Sequence, residues 1–128
     1  MKLGSLKSKT SRDGELIVVS KDNQRAVRAH HIAPNLREAV EAWITTKPKL
    51  ESLYNDLNAG KATGEFAVNP EALHSCMPRS FQWADGSAFI HHIKLVRMAR
   101  NAPLPETLET VPLMYQGGGD SFLAPTED

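Results

Sequence analysis

Asp85 and His92 stand seven residues apart in the run FQWADGSAFIHHIKLVRMAR, residues 81–100. Read as one helix opened by the aspartate, that spacing is nearly two turns, so carboxylate and imidazole share a face with Cα atoms ~10 Å apart. Such a pair of titratable groups could serve one site by exchanging protons with a bound molecule. His91 is adjacent to His92 and points about 100° away, so the two rings cannot enter one pocket together. A second segment, PLMYQGGGD, residues 112–120, adds Tyr115 and three consecutive glycines, a backbone that can pass close to a ligand. A plainer reading stands beside this one: Asp85 before Gly-Ser is a helix N-cap, and the histidines are surface groups.

Other chemistries lack their residues. No pair of histidines four apart flanks a glutamate, no glycine-rich loop precedes Lys-Ser/Thr, and no G-x-S-x-G elbow occurs. Cys76 is the sole cysteine, which excludes an internal disulfide and a cysteine metal knuckle. It is expected to be a buried or half-buried, inert thiol. His30-His31 reads as a loop pair, and His74 stands alone.

The elements that must carry these groups follow from pattern. A short segment from Leu3 to Leu6, the β-branched run Glu15 to Ser20 after the Asp13-Gly14 turn, and Arg25 to Ala29 predict an antiparallel meander. Asn35 can cap a helix, with Glu38 three residues on as in a capping box. Leu36, Val40, Trp43, Leu50, Leu53 and Leu57 recur at helical steps and predict a packing face. Pro48 predicts two helices, or one kinked helix, meeting at Thr46 to Pro48, with a stop at Gly60. Glu65 to Val68 reads as a small strand and Pro70 to Leu73 as one helical turn. A further helix is expected from Asp85 to Arg100 or Asn101, with Phe89, Ile93 and Val96 buried. An irregular tail follows Pro112. The fold expected is α+β: short N-terminal antiparallel strands packed with a long kinked or paired helix, then a second helix and the tail.

At 128 residues the chain fits one domain by length and can bury a real core. Lys+Arg and Asp+Glu both number 15 and are interspersed, which argues against nucleic acid or an anionic membrane as the main partner. The basic cluster Lys2, Lys7, Lys9 and Arg12 reads as a solvated edge. No apolar run is long enough for a membrane span or a signal peptide, and a cytoplasmic setting is expected.

The run QWADGSAFIHHIKLVRMAR followed by PLMYQGGGDSFLAP resembles the N-terminal part of bacterial fumarylacetoacetate hydrolases, the fumarylacetoacetase family. The likeness runs from the Met-Lys-Leu start to the end of the chain. It implies Asp85 as a ligand of a divalent metal, His92 as the base that activates water, and Tyr115 as a substrate-pocket residue. It implies Arg100 as the arginine that meets a substrate carboxylate, with Arg97 as the alternative. Ser87 stands where the animal enzymes have a substrate-contacting tyrosine. The implied reaction is hydrolysis of a C–C bond in a 1,3-diketone acid, giving fumarate and acetoacetate in tyrosine catabolism. The implied cofactor is magnesium or calcium.

In that family a C-terminal hydrolase domain supplies a Glu-x-Glu pair, a further aspartate and the glutamate that orients the histidine. This sequence shows no such motif after Asp120. Two regions are therefore expected: residues 1–78 as the N-terminal domain and residues 79–128 as the start of a truncated catalytic region. The isolated chain is expected to be inactive and to bind no cofactor alone. Its expected partners are a C-terminal hydrolase domain, on the same or a separate chain, and a second copy in a homodimer. The alternative is a non-catalytic interaction or regulatory module derived from the family.

Overall fold

A computed structural model describes residues 1–128. Its elements run β1 (Lys2–Leu6), β2 (Glu15–Val19), β3 (Arg25–Arg28), α1 (Leu36–Glu41), α2 (Trp43–Asn58), β4 (Phe66–Ala67), a 3-10 turn (Pro70–Ala72), β5 (Trp83–Ser87), α3 (Ile90–Ala99) and β6 (Leu113–Gly117). The α+β expectation holds. Chain contacts divide the molecule into two compact units. One is Met1–Ser80 with Asp120–Asp128, and the other is Phe81–Gly119.

The first unit is built on an antiparallel sheet in the order β1-β2-β3-β4. Lys2 pairs with Val19 and Leu6 with Glu15, while Val18 pairs with Val27. Leu16, Ile17 and Val18 in β2 are all fully buried, because this central strand has apolar cover on both faces. On one face Leu16 and Val18 join Val27, Leu36, Leu50 and Leu57. On the other, Ile17 joins Leu6 and Ala26, with Phe66 and Leu73 packed against them. The strand connections use the residues that tolerate positive φ: Gly14 at 69° and Asn23 at 65°.

The α1 N-terminus is capped as its sequence predicts. Asn35 Oδ1 accepts from the Glu38 N–H at 2.9 Å, and the Asn35 amide donates to Glu38 Oε1 at 2.9 Å. The helix break lies at Ala42 rather than at Thr46 to Pro48, and Pro48 sits inside α2. Two features make that arrangement tolerable. Ile44, whose carbonyl faces the missing proline N–H, is 92% exposed, so water can reach it. The Thr46 hydroxyl donates to the Ala39 carbonyl at 2.6 Å, satisfying an acceptor left over at the end of α1. Val40 and Trp43, expected in the packing stripe, are exposed, and Ala39 and Thr46 are buried instead. Gly60 ends α2 at φ 67°. Cys76 is exposed, contrary to expectation. Its backbone carbonyl faces the sheet, accepting from Ser5 Oγ at 2.7 Å. No helix is long and apolar enough to cross a membrane.

Candidate active site

Residues expected to do chemistry fall in the unit Phe81–Gly119. The structure corrects the local reading of Asp85. It caps no helix but lies in the middle of β5, paired with Tyr115 of β6. The helix begins only at Ile90, with Phe89 at its N-cap position and no side-chain cap. The reason is long-range: the five residues Trp83–Ser87 satisfy their backbone against Leu113–Gly117, five pairs in register, which no local propensity reveals. The shared helical face of Asp85 and His92 is therefore overturned.

A different geometry relates them. Residues directly opposite in an antiparallel pair share a face, and alternate residues along a strand do too. Trp83, Asp85 and Ser87 thus lie on one face with Gly117, Tyr115 and Leu113. Ser87 and Leu113 line a cavity of about 300 Å³ whose other walls are His92, Ile93, Val96, Arg97 and Arg100. The α3 contributors recur at i, i+1, i+4, i+5 and i+8, a single stripe of the helix. His92, Arg97 and Arg100 are thereby brought to one cavity. Asp85 and Tyr115 do not line it; they occupy the next position along the same ribbon face.

Local packing fixes this ribbon. The Trp83 ring lies over Gly117, where a Cβ would fall 2.7 Å from Cζ3 and closer still to Cε3. Trp83 also meets the Tyr115 ring edge-on, centroids 5.8 Å apart. The first glycine of the triplet is thus required by an aromatic neighbour rather than by a ligand. No local signal discloses this pairing, because α3 and its flanking loops separate the two strands in the chain. Arg97 is half-buried and donates to the Pro103 carbonyl at 3.4 Å, while His92 and Arg100 are exposed. Lys94 reaches Glu109 at 3.7 Å. Of the expected stripe, Ile93 is buried and Val96 half-buried, but Phe89 is exposed because the helix starts at its carboxyl side.

The cavity can do two things with its own side chains. Two guanidiniums can bind carboxylate oxygens, and an imidazole can exchange a proton with a bound molecule. A hard divalent cation is another matter. No three His, Cys, Asp or Glu side chains gather around one ion-sized position. Asp85 is the sole carboxylate on β5 and β6, whereas magnesium or calcium takes about six oxygen ligands. The residues of this chain do not by themselves fit such an ion.

The family described as Fumarylacetoacetase N-terminal domain 2 matches residues 1–79, the sheet and helices of the first unit. No protein of curated function matches the chain.

Proposed function

The chain belongs to the fumarylacetoacetase N-terminal domain 2 family, and on that footing we propose that it is the N-terminal portion of a fumarylacetoacetate hydrolase-like enzyme. Its reaction class is hydrolysis of a C–C bond in a 1,3-diketone acid, within aromatic catabolism in the cytoplasm. The observation that carries this reading is the cavity shared by His92, Arg97 and Arg100, with Asp85 and Tyr115 one step along the same ribbon face.

In this reading the arginines hold a substrate carboxylate, and Arg97, already tethered to the Pro103 carbonyl, is the more rigid of the two. His92 takes a proton from water as the water oxygen attacks the carbonyl carbon. The C–C bond then breaks with its electron pair on the departing carbon, and the imidazolium returns the proton there. Tyr115, opposite Asp85 and one step along the ribbon face from the cavity, extends the substrate-binding surface. Asp85 would contribute one oxygen donor to a magnesium or calcium centre whose remaining donors would come from a C-terminal hydrolase domain, on the same or another chain. Alone, the chain is inactive. A homodimer is a further part of the proposal.

A second reading, a non-catalytic docking module, is favoured by the apolar side chains this unit leaves exposed, such as Phe89 at 73% and Met98 at 75%. Turnover separates the two. The chain is combined with a fumarylacetoacetase C-terminal hydrolase domain, and loss of the diketone acid is followed optically. Activity is expected in the assembly, none in the chain alone, and at least a roughly hundredfold loss in His92→Ala with its circular dichroism unchanged. Unchanged turnover in His92→Ala would remove the residue from its role. No turnover in any combination would favour the docking module.

A further inference from the structure

Two neighbouring residues of the β1–β2 turn hold the two segments of the first unit between which residues Phe81–Gly119 are inserted. Asp13 accepts from Arg79 Nε and Nη2, each at 2.8 Å, and from Arg37 Nη2 at 3.3 Å. Arg12 Nη2 donates to Asp120 Oδ2 at 3.1 Å and to the Asp120 carbonyl at 3.2 Å. Arg79 precedes the insertion and Asp120 follows it. A turn that reads Arg-Asp thus grips an arginine on the outgoing segment and an aspartate on the returning one.

The two fastenings are unequal. The Asp13 side chain is 9% exposed and bound in bidentate fashion, and hydrogen bonds from Arg79 hold its carboxyl down at about 2 against the opposing effect of burial. Arg12 and Asp120 are 63% and 81% exposed, so water and salt weaken their pair. Beyond Asp120 the returning segment is tied by surface polar contacts. Lys7 Nζ meets Glu127 Oε1 at 2.9 Å, and Ser75 Oγ donates to the Phe122 carbonyl at 3.5 Å. Ala124 is buried, its N–H donating to Glu127 Oε2 at 2.9 Å, and the Glu127 N–H donates to the Ala124 carbonyl at 3.2 Å. Only one side chain of this stretch is in the core, and the charged contacts that fix it lie at the surface.

We propose that residues Asp120–Glu127 form a releasable strap: the outgoing segment stays locked by Asp13 on Arg79, while the returning one, latched by Arg12–Asp120 and Lys7–Glu127, detaches with the sheet still folded. Local opening of this kind draws on the least stable contacts of a domain, and here those contacts are screened ion pairs.

Hydrogen exchange read by mass spectrometry on the full chain tests this. In about 1 M sodium chloride, where exposed ion pairs are screened, the amides of Ala124 and Glu127 should exchange roughly tenfold faster than at low salt, while those of Ile17 and Val18 keep their protection. Asp120→Asn with Glu127→Gln should give the same result without salt. The charge exchange Arg12→Asp with Asp120→Arg should restore slow exchange relative to Arg12→Asp alone. Strap amides that exchange in step with β2 under every condition would overturn the proposal, because the segment would then be an integral part of the first unit. A charge-exchanged variant as fast as the single one would overturn the Arg12–Asp120 latch. The salt comparison needs no variant, so it stands even if a substitution impairs folding.

Discussion

The two units of this chain divide burial and chemistry between them. The sheet unit places Leu16, Ile17, Val18, Leu50 and Leu57 wholly out of water, in clusters on both faces of β2. The inserted unit buries only Ile93 and Leu108 among its apolar side chains, and leaves Phe81, Phe89, Met98, Met114 and Tyr115 exposed. The family match covers residues 1–79 of the first and stops before the second, yet His92, Arg97, Arg100, Asp85 and Tyr115 all lie in the second. Hydrophobic burial therefore stabilises the first unit, while the groups proposed for catalysis belong to a two-stranded ribbon and a helix with little core of their own. In the proposed enzyme such a site would depend on cover from elsewhere to exclude water and complete its donors.

The contrast can be broken by substitution. Leu50→Ala should cost about 3 kcal/mol through lost burial and a residual cavity, visible as a lowered unfolding midpoint by circular dichroism. Met98→Ala, at a position 75% exposed, should stay within about 0.5 kcal/mol. Equal effects would mean that the inserted unit has a core after all.

Gly117→Ala probes the inserted unit. The new Cβ overlaps the Trp83 ring, so the β5–β6 ribbon must shift, at about 2 kcal/mol for an overpacked contact. Tryptophan fluorescence should change while the unfolding midpoint of the sheet unit does not. A fall in that midpoint would show that the units share their stability.

Acid gives a smaller, one-sided effect. Arg79 hydrogen bonds lower the Asp13 carboxyl from 3.8 to about 2. A carboxylate depressed by folding contributes stability that is fully present above its unfolded value and lost as pH falls through the folded one. The sheet unit should thus weaken between about pH 4 and pH 2, and Asp13→Asn should remove that part of the pH dependence. Because Arg37 and Arg79 partly face water, the effect is well below that of a core truncation.

Much of the platform was legible in the sequence. The run Glu15 to Ser20, the Asn35 cap and Gly60 act through neighbours a few residues away, so β2, α1 and the end of α2 could be read directly. The helical spacing of His92, Arg97 and Arg100 is local too, but the sequence reading set His92 on a face with Asp85 instead and did not group it with the arginines. Asp85 was not legible, because its conformation is decided by Leu113–Gly117, a partner distant in sequence. The break at Ala42 was hidden by Pro48, a strong local signal that an exposed helix face accommodates. Trp83 over Gly117 is a contact across strands, beyond the reach of a one-dimensional pattern.

In the proposed enzyme Asp85 would be one oxygen donor of a metal centre that other residues must complete. Calorimetric titration of the purified chain with magnesium and with calcium tests it most directly. The expected result is no saturable binding below about millimolar concentration and no difference between the wild type and Asp85→Asn. Stoichiometric, micromolar uptake that disappears in Asp85→Asn would contradict it.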